Sequence, residues 1–157
     1  PVYEEALRDM ADWVDDRDTV DMYAGVGSIG LVIGKRRLTL VESNADAVRE
    51  MRQNITALDR DDTATAVLAP SEKSLEYITA DKTIILDPPR AGLHRDVIDR
   101  LLDVRPERII YLSCNPVTQA RDVALLGEIY GVRHHRGYNF FPRTPHIEHL
   151  VILDRKP

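Results

Sequence analysis

Cys114 is the only cysteine in the 157 residues, and it lies in Ser113-Cys114-Asn115-Pro116, directly after the apolar run Arg108 to Leu112. That order places a thiol just past the C-terminal end of a strand, the edge at which open α/β sheets bind ligands. Asn115 is a turn former, and Pro116 suits the first position of a helix. A thiol beside a helix N-terminus is favoured as thiolate, its nucleophilic form; the plainer reading of a lone cysteine is a small core hydrophobe. Other groups belong at the same edge. Asp87 follows Thr83-Ile84-Ile85-Leu86 and precedes Pro88-Pro89-Arg90, whose prolines forbid continuation of the strand. Glu42 ends Leu38-Thr39-Leu40-Val41, where a carboxylate accepts from ribose hydroxyls or is simply a solvated strand-end charge. Gly25, Gly27 and Gly30 form G-x-G-x-x-G after a strand, a loop that admits a nucleotide-like ligand or makes only a tight turn. Asp21, at the mouth of that loop, would repel a pyrophosphate and attract an ammonium or sulfonium.

The elements that must position these groups follow from hydrophobic spacing. Helices are expected over Tyr3 to Val14, from the glycine loop through Ile33, over Asn44 to Ile55, Ser71 to Ile78 with Ser71 as N-cap, Val97 to Leu102, and Val117 to Leu126. Strands are expected at Asp18 to Tyr23, Leu38 to Glu42, Thr63 to Leu68, from Thr83 to Asp87, at Arg108 to Leu112, Val132 to Tyr138 and His149 to Leu153. Strand and helix alternate, and the candidate groups fall at strand C-terminal ends. This predicts one doubly wound α/β domain with a seven-stranded, mostly parallel sheet whose last two strands pair antiparallel.

Composition narrows the chemistry. One cysteine excludes an internal disulfide, no Cys/His spacing of zinc type is present, and a reducing, cytoplasmic setting is expected. No apolar run approaches the roughly 18 residues of a membrane span. The formal charge of −5 does not advertise nucleic-acid binding. From Ile129 to Ile147, however, there is no acid, while Arg133, His134, His135, Arg136, Arg143 and His146 are present. That local basic stretch suits phosphate contacts. Phe140 and Phe141 within it suit base stacking or the core equally well.

The ordered set Asp21-x-Tyr23-x-Gly25-x-Gly27, Glu42, Asp87-Pro88-Pro89-Arg90, Ser113-Cys114-Asn115-Pro116 and Pro142-x-Thr144-Pro145-His146-x-Glu148 resembles the catalytic domain of the RNA uracil-C5 methyltransferases. The resemblance covers essentially the whole chain, 1–157, and implies the C-terminal part of a longer protein. It implies a Rossmann-like class I fold, S-adenosylmethionine as methyl donor, and a transfer or ribosomal RNA as substrate. By resemblance Cys114 is the nucleophile and Glu148 the base. Tyr23, Ser28, Glu42 and Asp87 contact the donor, Gly25 and Gly27 shape its loop, and Ser71 lies at its adenine. The aromatic and basic character of the Phe140 to Arg143 loop makes Phe140 and Arg143 candidates for the wall against the target base, Pro88 and Arg90 are further candidate RNA contacts, and no metal is expected. The chemistry agrees: carbon 5 of uracil is a poor nucleophile until a thiolate adds at carbon 6, and a base must then remove the carbon 5 proton. The target base must leave its stack to be reached.

The chain departs from the family pattern at Pro70-Ser71, where a glycine followed by an acid or asparagine is usual. Three other readings stand beside this one: a non-catalytic module that binds cofactor or RNA, an NAD-dependent oxidoreductase resting on the glycine loop and Glu42, and an amine methyltransferase without a covalent step.

Overall fold

A computed structural model of the chain describes residues 2–140, 142–144 and 146–157. The elements run α1 (Val2–Asp12), β1 (Thr19–Asp21), α2 (Gly30–Ile33), β2 (Leu38–Glu42), α3 (Ala45–Ala57), β3 (Ala64–Leu68), two 3-10 turns (Ser71–Lys73 and Leu75–Tyr77), β4 (Thr83–Leu86), α4 (Arg95–Val104), β5 (Arg108–Ser113), α5 (Pro116–Leu126), β6 (Tyr130–Tyr138) and β7 (Glu148–Arg155). The strands form a single sheet in the order β3-β2-β1-β4-β5-β7-β6. Strands β1 to β5 pair in parallel, and β7 lies antiparallel to both β5 and β6. The predicted class is therefore observed, with β7 inserted between β5 and β6 rather than at the margin.

Two apolar layers cover the sheet. On one face Val20, Ile84, Ile109, Tyr111, Val151 and Leu153 pack with Val97, Ile98 and Leu101 of α4 and with Leu126 of α5. On the other, Ile85, Ile110, Leu112, Leu150 and Ile152 receive Ala6 and Met10 of α1, while α3 presents Val48, Met51 and Ile55 to Leu38 and Leu40. The alternation along β5 and β7 is what a strand covered on both faces requires. Burial on this scale stabilises by roughly 25 cal/mol per Å² of apolar surface removed from water, so the sheet is a firm base for its C-terminal edge.

Several boundaries differ from the expected ones. Strand β1 is only three residues long, because Met22 and Tyr23 already turn into the glycine loop. The segment after β3 makes two short 3-10 turns instead of a helix over Ser71 to Ile78, and Ser71 caps nothing: it begins the first turn and donates its hydroxyl to the Met22 carbonyl. Helix α4 is longer than its apolar core, extending over Arg95–Val104, and is capped by the His94 ring, which accepts from the Asp96 N–H at 3.2 Å. Strands β6 and β7 reach beyond Val132 to Tyr138 and His149 to Leu153, since mutual pairing extends them past their apolar residues.

Candidate active site

The parallel strands deliver their carboxyl ends to one edge. Beyond β1, Met22 N–H bonds the Ile85 carbonyl at 3.1 Å and Ala24 N–H bonds Val41 at 3.0 Å, so the glycine loop is fastened between β4 and β2. Gly25 has φ +55°, in the left-handed region that favours glycine, and a β-carbon there would meet nothing within 4 Å, so this backbone faces open space. Its N–H donates to Glu42 Oε2 at 2.9 Å, while Asn44 N–H holds Oε1 at 2.8 Å. The Glu42 carboxylate is thereby fixed in orientation with lone pairs to spare for hydroxyl donors. Behind the loop Asn54 donates to the Val26 carbonyl at 2.9 Å, and Arg60 spans the carbonyls of Leu31, Gly34 and Arg36.

Met22, Tyr23, Gly25, Glu42, Ser43, Pro70, Ser71, Glu72, Asp87 and Pro89 line a cleft of about 730 Å³. Five of the seven sequence-predicted cofactor contacts thus converge: Tyr23, Gly25, Glu42, Ser71 and Asp87. Gly27 and Ser28 are not among its lining residues; Gly27 lies against Leu31, and Ser28 is exposed. The Tyr23 hydroxyl is buried with no hydrogen-bond partner of acceptable geometry, beside Ser71 and the His94 N–H. Asp21 is not at the mouth of the loop. It is 1% exposed, accepts from Gly30 N–H at 3.1 Å, leaves its second oxygen unpaired, and is pushed up to about 7 chiefly by burial. Gly30 permits this approach, because a β-carbon there would meet Asp21 Oδ2 and Leu40 at 2.9 Å.

The antiparallel ladder of β5 with β7 sets the second half of the site. Ser113 pairs with His149, so Cys114 and Glu148 are the next residues on their two strands, near enough for the Glu148 charge to act on the thiol. Asp87, leaving β4 next to β5, joins them, and the three acids feel one another's charge. Burial, then Asp21 and Glu148, push Asp87 up to about 7. Glu148 is also raised, mainly by burial, with His146 opposing. The Cys114 thiol is raised by burial and by Glu148 and Asp87, against a lowering influence from Arg90. The expected helix-dipole activation of the thiol is therefore outweighed by desolvation and two neighbouring carboxylates. Pro116 does open α5, and Asn115 caps it, its Oδ1 accepting from Val117 N–H at 3.2 Å while its Nδ2 donates to the Arg90 carbonyl at 3.0 Å.

The candidate RNA-facing residues divide. Arg90 and Arg143 are exposed, Arg143 at φ 72°. Pro88 is buried, and Pro89 supplies the wall of the cleft in its place. Phe140 packs edge-on against Tyr3 at 5.4 Å between ring centroids and beside Tyr138, in the layer under α1, which is the core alternative of its two readings. Phe141 and Pro145 lie outside the described residues. The basic stretch is partly engaged within the fold: Arg136 pairs with Glu5, and the His134 ring meets Asp9 at 3.2 Å. Sequence reasoning missed Asp122. Fully buried in α5, it accepts from Tyr111 Oη and Leu93 N–H, both at 2.8 Å, and so ties β5 to the loop after Asp87. A single mid-helix aspartate gave no signal of that role. Among the described residues no group of three or more His, Cys, Asp or Glu side chains is arranged to hold a metal ion, and no helix is long and apolar enough to cross a membrane.

Comparison with known proteins agrees with this geometry. The family model described as tRNA (uracil-5-)-methyltransferase matches residues 72–156. A protein of Nitratidesulfovibrio vulgaris, named an uncharacterized RNA methyltransferase, is 38% identical over 144 residues, covering 87% of this chain and 31% of that protein. The tRNA (uracil(54)-C(5))-methyltransferase of Pyrococcus abyssi is 36% identical over 149 residues, covering 94% of this chain and 35% of its own. The crystal structure of the Pyrococcus abyssi tRNA (uracil-54, C5)-methyltransferase in complex with S-adenosyl-L-homocysteine superposes with a TM-score of 0.84 at 34% identity, over 95% of this chain and 37% of that one. The chain spans about a third of the length of these relatives. With its matching segment carrying Asp87, Cys114 and Glu148, this chain belongs to the tRNA (uracil-5-)-methyltransferase family.

Proposed function

We propose that residues 1–157 are the catalytic domain of an S-adenosylmethionine-dependent enzyme that methylates carbon 5 of a uridine in transfer or ribosomal RNA through a covalent Cys114 adduct. What supports this reading is the β5–β7 ladder, whose last pair, Ser113 with His149, leaves Cys114 and Glu148 as the next residues on the two strands, together with a neighbouring cleft lined by Glu42 and Asp87. A non-catalytic module has no use for that pairing, and an amine methyltransferase has no use for the thiol.

The cleft suits the donor. Glu42 is held with lone pairs free for the ribose hydroxyls, Gly25 leaves open backbone, and the unpaired Tyr23 hydroxyl and Ser71 line the adenine end. Asp87, a half-buried acid in the lining of the cleft whose neighbouring charges are carboxylates, fits a positively charged ligand and disfavours a pyrophosphate. When bound, S-adenosylmethionine supplies an electrophilic methyl group on a cationic sulfur.

The residues of the chain then divide the work. Cys114, once it has given its proton to solvent, forms a bond from Sγ to carbon 6 and breaks the C5=C6 π bond, placing an electron pair on carbon 5 and O4. Carbon 5 is thereby able to accept a methyl group. Glu148, whose raised pKa makes it a stronger base than an exposed glutamate, takes the carbon 5 proton. The freed pair restores C5=C6 and expels the Cys114 thiolate. Arg90 and Arg143 stand exposed to meet RNA phosphates. Phe140 packs against the core at the end of β6, and Pro89, next to buried Pro88, lines the cleft.

The test is methyl transfer from labelled S-adenosylmethionine to an unmodified tRNA or rRNA transcript by the intact protein, with nuclease digestion to identify the product. Label in 5-methyluridine, abolished by Cys114→Ala, is expected; label in an amine-bearing base or survival of activity in Cys114→Ala would exclude the covalent mechanism.

A further inference from the structure

Gln119 has no part in the mechanism above, yet it is 1% exposed and has every polar group of its side chain engaged. From the first turns of α5 its Nε2 donates to the Tyr111 carbonyl of β5 at 3.0 Å and to the His149 carbonyl of β7 at 2.9 Å. Its Oε1 lies 2.6 Å from His149 Nδ1. The two carbonyl acceptors fix which end of the amide is nitrogen, so Oε1 accepts and the proton of His149 is on Nδ1. His149 Nε2 is then a lone pair, which meets His135 Nδ1 of β6 at 3.4 Å, the two rings 5.5 Å apart. One amide therefore joins α5, β5 and β7, and reaches β6 through an imidazole.

The location gives this strut its meaning. Cys114 lies between β5 and α5, and Glu148 is the residue before His149. Ser113 with His149 is the last rung of the β5–β7 ladder, so nucleophile and base both lie just past the point where that ladder joins β5 to β7, with Glu148 still paired to Tyr138 of β6. Errors of about 1 Å between reacting groups cost on the order of a hundredfold in rate.

Resting on the uracil-C5 reading, we propose that Gln119, acting through His149, is a positioning residue that holds Glu148 at the reach of the carbon 5 proton on a base bound to Cys114. Its removal slows release of the covalent adduct more than its formation.

The test uses the intact protein with two RNA probes. One is an ordinary transcript; the other carries 5-fluorouridine, whose carbon 5 has no proton for a base to remove, so the adduct stalls with or without a competent Glu148. Gln119→Leu is expected to lower turnover at least tenfold and to accumulate a gel-stable adduct on the ordinary transcript. It should form the fluorouridine adduct at the unmutated rate, with unchanged KM for RNA and unchanged affinity for S-adenosylhomocysteine. His149→Leu, which leaves the Gln119 amide between the carbonyls, should change turnover in the same direction by less and serves where Gln119→Leu does not fold. Loss of both adducts in parallel, or unchanged turnover in both variants, overturns the positioning role. Failure of the unmutated protein to form the fluorouridine adduct overturns the uracil-C5 reading, and the proposal with it.

Discussion

Asp87, Cys114 and Glu148 all hold their protons more tightly than the same groups in water, chiefly because burial penalises the charged form; neighbouring carboxylates add to this at Asp87 and at Cys114, while Arg90 opposes it at the thiol and His146 at Glu148. A cationic ligand reverses that balance and a neutral one does not. S-adenosylmethionine binding is therefore expected to require ionised Asp87 and, from its pKa of about 7, to tighten roughly tenfold between pH 6 and pH 8. S-adenosylhomocysteine, lacking the sulfonium charge, should tighten far less. Calorimetric titration of both ligands across that range checks the difference, and parallel pH profiles would remove Asp87 as the counter-charge. Cys114, Asp87 and Glu42 were legible in the sequence, because each follows a short β-rich run and is followed by residues that stop a strand. The burial of Asp21 was not legible, since the same Asp-x-Tyr-x-Gly order reads as a loop mouth until the three-residue length of β1 turns the carboxylate under Gly30. Gln119 and Asp122 were invisible for a similar reason: polar positions on an amphipathic helix read as solvated until the helix is docked.

At the level of elements, the site depends on two junctions. The β1–α2 loop needs Gly25 at φ +55°; Gly25→Ala is expected to cost about 1 kcal/mol of stability and to weaken S-adenosylhomocysteine binding, by urea titration and calorimetry respectively. The β5–α5 junction needs Asn115, which caps the helix and tethers the Arg90 carbonyl. Asn115→Ala should cost about 1–2 kcal/mol and lower turnover, because the loop carrying Asp87 and Arg90 loses its tie to the Cys114 helix. Loss of stability with full turnover would make the cap purely structural. Helices with regular apolar spacing, such as α3 and α4, could be placed from sequence to within two or three residues. The segment after β3 could not: Leu75, Tyr77 and Ile78 have helical spacing, but the bond from Ser71 to Met22 and the short path to β4 hold it as two 3-10 turns.

For the whole molecule, one buried acid and one half-buried acid make ligand-free stability depend on pH in a definite direction. Asp21 and Asp87 have folded pKa values of about 7 against ordinary values near 4 when unfolded. A raised folded pKa contributes stability that is fully present below the unfolded value and is lost as pH rises through the folded value. The melting temperature of the ligand-free chain is thus expected to fall between about pH 4 and pH 7 and to level off above about pH 8. For Asp21 alone the loss is on the order of 4 kcal/mol. Asp21→Asn keeps an acceptor for Gly30 N–H and should raise the melting temperature at pH 8 while flattening the profile; an unchanged profile would refute the account of Asp21. The alternation of strand and helix made the doubly wound sheet legible, and the short β6–β7 connection indicated an antiparallel pair. The insertion of β7 beside β5 was not legible from local pattern, although that insertion is what brings Glu148 to Cys114.

The central claim, that Cys114 and Glu148 act in succession on one uracil, is tested most directly by the Glu148→Gln variant of the intact protein. It is incubated with S-adenosylmethionine and an unmodified tRNA or rRNA transcript, resolved on a denaturing gel and digested for mass spectrometry. The expected result is a covalent protein–RNA species linked through Cys114 and carrying a methylated uracil, absent when Cys114→Ala is added. Methylated RNA released at the normal rate with no adduct would contradict the account.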